Sequence, residues 1–171
     1  MRLLVFFSAF ALGIAIFLAW KGVGNKSFQQ AGQRPWLTPD YLAKREIVEW
    51  LEELKGRRPF TSDEMAKLRE FARDPIWMIR CRALRALSYA QTDQQRKEAI
   101  QIAVQRLRDK EGVVRFYAVL ALDRLQARET VPDLLPLLND PDPDVRKVVL
   151  KTLTRFGYSV ESSETHRRQK E

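Results

Sequence analysis

From residue 38 onward the apolar positions recur at helical spacing. Thr38-Pro39-Asp40 combines an N-cap residue, a proline suited to the first helical position and an acid for the first turn. It leads into a stripe of Ile47, Trp50, Leu51 and Leu54 that stops near Gly56. Thr61 with Glu64, and Thr92 with Gln95, have the spacing of a capping box and predict two further helix starts. No Asn-Gly or Asp-Gly turn separates segments of alternating polarity, so strands are not predicted. The expected fold class is all-α.

Three segments share one register: DPIWMIRCRALRAL from Asp74, DKEGVVRFYAVLAL from Asp109 and DPDPDVRKVVLKTL from Asp140. Each has an aliphatic residue five positions after the Asp (Ile79, Val114, Val145), an Arg at six (Arg80, Arg115, Arg146) and a Leu at thirteen (Leu87, Leu122, Leu153). Intervals of 35 and 31 residues suit a two-helix unit, and a period of that size predicts a solenoid. The aspartates are expected to cap the second helix of each unit. Each Arg is expected to reach an Asp of its own or a neighbouring unit, forming a structural ladder that sets stacking register. Ala83, Ala118 and Val149 share the apolar face and permit close helix packing.

On these residues the chain resembles HEAT repeats, including the HEAT-like class found in phycobilisome lyases. The likeness covers about residues 61–157 and is sharpest in VPDLLPLLNDPDPDVRKVVLKTLTRFG, residues 131–157, down to its final Gly157. Pro136 matches the family's habit of a proline that bends the first helix. Gln105 and Arg69 stand in its place in the other units, which are expected to be straighter, and Trp77 replaces a small or polar turn residue. The resemblance implies a short α-solenoid of about three helix pairs acting as an adaptor for another protein, with the helix over residues 38–56 as a cap or half-unit. Such units need stacked neighbours to cover their apolar faces, and three is about the minimum.

The N-terminus is different in kind. Leu3 to Trp20 is an uncharged run of eighteen residues, about 27 Å as a helix against a hydrocarbon core of roughly 30 Å. Trp20-Lys21 places an interfacial ring and a cation at its end. Residues 1–21 are read as an uncleaved signal-anchor, residues 22–37 as a linker, residues 38–157 as the repeat domain and residues 158–171 as a polar tail. A cleaved leader would leave an exported repeat domain instead; the apolar run is long for a leader and lacks a convincing small-x-small site. Ala11, Ala15 and Ala19, and the Ala9–Gly13 pair, have the small-residue spacing that would support a weak dimer through the span. The charges flanking the run leave the side of the membrane carrying the repeats undetermined.

Charge changes this picture little. The formal charge is +8, but Arg2, Lys21, Lys26 and Arg34 supply half of it within residues 1–37, where no acid occurs. Arg80, Arg82, Arg85, Arg106 and Arg108 would be the residues of a nucleic-acid surface, yet acids are interleaved with them and nucleic acid is not an expected partner. Cys81 lies in an apolar-periodic stretch and reads as a small hydrophobe, and His166 falls in the polar tail. With one Cys and one His, no metal site, cofactor or catalytic residue is predicted, and an enzyme or lyase-type accessory role finds no constellation to carry it. The expected partner face comprises the positions one and five after each repeated Arg: Cys81 and Arg85, Phe116 and Leu120, Lys147 and Lys151. An apolar pair flanked by cations would suit an acidic peptide with a hydrophobic anchor.

Overall fold

The computed structural model describes residues 38–158. Its helices are α1 (Pro39–Glu53), α2 (Ser62–Phe71), α3 (Trp77–Leu87), α4 (Asp93–Arg106), α5 (Gly112–Arg124), α6 (Val131–Leu134) and α7 (Pro143–Arg155), with 3-10 turns at Arg128–Thr130 and Leu135–Asn139. The chain divides into units Met1–Thr38 and Pro39–Glu171, and these helices all belong to the second. The expected anchor, linker and all of the tail beyond Tyr158 lie outside the described residues. Among the described residues there is no strand, and no helix is long and apolar enough to cross a membrane.

The first turns follow the expected local chemistry. Thr61 caps α2 in a complete box, its side chain accepting from Glu64 N–H while the Glu64 carboxylate accepts from Thr61 N–H. Thr92 caps α4 from Gln95 N–H at 3.2 Å, but the Gln95 amide donates to the Phe60 carbonyl at 2.6 Å instead of closing a box. That half-box ties α4 to the preceding unit. The two prolines in the first-helix segment of the last unit do more than bend it: Pro132 and Pro136 remove amide donors within five residues, and the segment becomes one short α-helix flanked by 3-10 turns. In the register of the repeated aspartates α2 and α4 carry Glu70, next to the expected Arg69, and Gln105 in place of Pro136, and both helices are uninterrupted. α7 ends in a Schellman motif, with Gly157 at φ +81° and its N–H and that of Tyr158 donating back to Thr154 and Leu153.

Packing converts the sequence period into a stack. α1, α3, α5 and α7 lie against one another in order, while α2 packs on α3, α4 on α5 and the broken first helix on α7. α1 thus belongs to the layer of second helices, as the half-unit expected at that end. The repeated positions are the interior: Ile79, Val114 and Val145, Leu87, Leu122 and Leu153, and Ala83, Ala118 and Val149 are all fully buried. Burying each Leu side chain stabilises the fold by about 1.5–3 kcal/mol before entropy is counted. Ala83 and Ala118 of the third set let backbones approach, and at Gly112 an added Cβ would meet the Asp142 carboxylate of the next unit.

One expected face is rotated. α1 buries Tyr41, Val48 and Leu51, whereas Ile47 and Trp50 of the expected stripe are 44% and 50% exposed. Ile47 lies about 100° around the helix from Val48, so the two cannot both face α3. Lys44 and Glu52, on the buried side, choose the phase: Lys44 pairs with Asp74 at 2.9 Å and Glu52 with Arg85 at 2.5 Å.

Candidate functional site

The ladder comes first because it sets the spacing of everything else. In each unit the Asp closes a turn by accepting the N–H two residues on: Asp74 from Ile76, Asp109 from Glu111 and Asp140 from Asp142. The recipients are the N-cap residues of α3, α5 and α7, so the carboxylate fixes the residue before each helix and not its first turn. The Arg one turn in donates through Nη1 to carbonyls of that same turn, Asp74 and Pro75 for Arg80, Asp109 and Lys110 for Arg115, Asp140 and Pro141 for Arg146. Its Nε and Nη2 then face the next unit. Arg80 grips Asp109 at 2.9 and 2.8 Å, and Arg115 grips Asp140 at 2.7 and 2.6 Å, both bidentate.

The electrostatics follow from that geometry. Burial pushes the Asp109 carboxyl up, but the Arg80 fork and the Glu111 N–H outweigh it and hold the group below its ordinary value. Asp140 is lowered in the same way against its own burial, by Arg115 and the Asp142 N–H. Arg115 is raised in turn, chiefly by its hydrogen bonds to Asp140. Both carboxylates are therefore charged acceptors at neutral pH.

The spacing opens two adjacent grooves along the exposed side of the second helices. The larger, about 560 Å³, lies between α5 and α7. α5 supplies Val113, Phe116, Tyr117 and Leu120, and α7 supplies Lys147, Val148, Lys151 and Thr152. Asp142 and Asp144 stand at the end nearer the α7 N-terminus, and Asp123 and Arg155 at the other. Phe116 and Tyr117 meet edge to face, ring centroids 5.6 Å apart. Lys147 and Lys151 are exposed and make no ion pair among the described residues. The second groove, about 520 Å³, lies between α3 and α5 and holds Arg85, which pairs with Glu52 and sits 5.9 Å over the Tyr117 ring.

Residues 100–164 match the HEAT repeats family. The HEAT-repeat match runs from within α4 through α7 and contains the Arg115–Asp140 rung and the larger groove. Arg80 and Asp74, outside it, reproduce the same turn and fork. Comparison with curated proteins and with solved structures finds no match.

Of the expected partner face, Phe116, Leu120, Lys147 and Lys151 come together in one groove, while Arg85 lines its neighbour. Phe116 and Leu120 are half-buried, with one side on the core and the other lining the groove. Cys81 does not belong to the face: it is 5% exposed, and burial pushes its thiol up to about 12. The reason is position along the stack, since the residue after Arg80 is covered by the following unit and the residue after Arg146 is not. Asp123 had no prominence in the sequence. It is 6% exposed, pairs through Oδ2 with Arg155, and leaves Oδ1 buried without a hydrogen-bond partner among the described residues, lining both grooves. Its only sequence signal is a charge eight positions after the repeated Arg, where the first unit has Ser88 and the last Thr154.

Proposed function

We propose that this chain is a non-enzymatic, membrane-tethered HEAT-repeat scaffold that binds another protein in the groove between α5 and α7. One observation carries the reading: two lysines without ionic partners among the described residues flank a half-buried Phe–Leu wall. Such a wall offers a partner a desolvated anchor point, and the cations favour an acidic segment around that anchor. The arginines weighed as a nucleic-acid surface are largely occupied: Arg80, Arg82, Arg85 and Arg106 each contact a carboxylate, which favours protein over phosphate as the ligand. The apolar run at Leu3–Trp20 supplies the tether, and the linker would keep the repeat domain within roughly 20 Å of the membrane. No cofactor enters this function.

The test is a crosslinking pull-down with the full chain from membranes, run beside Phe116→Glu and Lys147→Glu. Capture of a defined protein should fall about tenfold or more in each variant, the loss expected of a hot-spot residue. Undiminished capture by both variants, or a full chain that does not sediment with membranes, would overturn the groove or the tether respectively.

A further inference from the structure

The ladder alternates acid and cation along the stack and ends open on both sides. At its start Asp40 pairs with Lys44 at 2.8 Å, and Lys44 in turn pairs with Asp74 at 2.9 Å. Arg80–Asp109 and Arg115–Asp140 follow. At the far end stands Arg146, whose Nη1 is held by the Asp140 and Pro141 carbonyls as in the other two units. Its Nε and Nη2, the atoms that hold a carboxylate in Arg80 and Arg115, have no partner among the described residues. The fork is therefore preorganised for a carboxylate, by a geometry this chain uses twice.

The apolar positions tell the same story. Four residues after the ladder Arg, Leu84 and Val119 are fully buried against the next unit, while Leu150 in that place is 47% exposed. At the opposite end α1 turns Leu42 and Trp50, 45% and 50% exposed, away from the side that packs on α3. The Asp40 side chain is 65% exposed in the first turn of that helix. One end thus offers a cationic fork and an aliphatic residue, the other a first-turn carboxylate and apolar side chains.

We propose that copies of this chain associate head to tail, the α7 face of one stacking on the α1 face of the next, with the Arg146 fork taking the Asp40 carboxylate and Leu150 packing near Leu42 and Trp50. The contact continues the stacking interface within the chain and is independent of the groove. The two surfaces differ, so the interface is heterologous and each copy keeps one free end, which extends the array.

Sedimentation velocity of the full chain in non-ionic detergent over a range of protein concentrations tests this. The wild type should form larger species as concentration rises. Arg146→Glu, Leu150→Glu and Trp50→Glu should each move the association to about tenfold higher concentration or beyond. Leu150→Glu reads the α7 face without touching the turn that Arg146 braces. An equal mixture of Leu150→Glu and Trp50→Glu should form a one-to-one pair and nothing larger, since each retains the face the other lacks. A wild type that stays monomeric, association unchanged by the three substitutions, or a mixture that stays monomeric would overturn the proposal.

Discussion

Asp109 and Asp140 each collect one arginine fork and one backbone N–H in a buried place. Because their native pKa lies below the unfolded value of about 3.9, their contribution is fully present above that pH and is lost as pH falls through the native value. At neutral pH Asp109→Asn should destabilise the fold by about 3–5 kcal/mol, because Arg80 is left as an uncompensated charge with a side chain only 5% exposed. The gap between wild type and variant should narrow steadily below about pH 4. Thermal unfolding followed by circular dichroism across pH 2–7 measures both effects; a gap independent of pH would contradict them. At this scale the Asp and Arg were legible because their spacing repeats. Asp123 was not, since its importance comes from its pairing with Arg155 of another helix, and Cys81, buried as its small-hydrophobe reading expects, was misplaced only in being counted with the outward positions, because sequence position alone does not say which unit covers which.

The helices were legible wherever a cap or a breaker sits beside the apolar period, as at Thr61, Pro136 and Gly157. The phase of α1 was not, because Ile47 and Trp50 extend the apolar arc and only the ion pairs of Lys44 and Glu52 show which part faces inward. The stack makes one sharp contrast between chemically similar leucines on equivalent helices. Leu84→Ala should cost about 2–5 kcal/mol, since the side chain is fully buried between units. Leu150→Ala, at the open end, should change the stability of a single chain by no more than about 0.5 kcal/mol. Urea unfolding of both variants at low protein concentration separates them; equal losses would mean that Leu150 is covered and the end of the stack is not open.

Across the described residues the repeat period specified the architecture, because units with one oily flank have few ways to cover it other than stacking in a row. The groove was only half legible: the residues at one and five positions after each Arg were readable, but their convergence depends on the separation of α5 and α7, which the Arg115–Asp140 rung helps to hold. That rung joins the stack to the proposed function, since a scaffold would present a preformed groove only if its units keep their register. The most direct test is a double-mutant cycle on Arg115→Ala and Asp140→Ala, read by chemical unfolding of the full chain in non-ionic detergent. A coupling energy above about 1.5 kcal/mol is expected for a bidentate, largely buried pair. Losses that simply add, with coupling below about 0.5 kcal/mol, would mean that the ladder does not hold the repeats together.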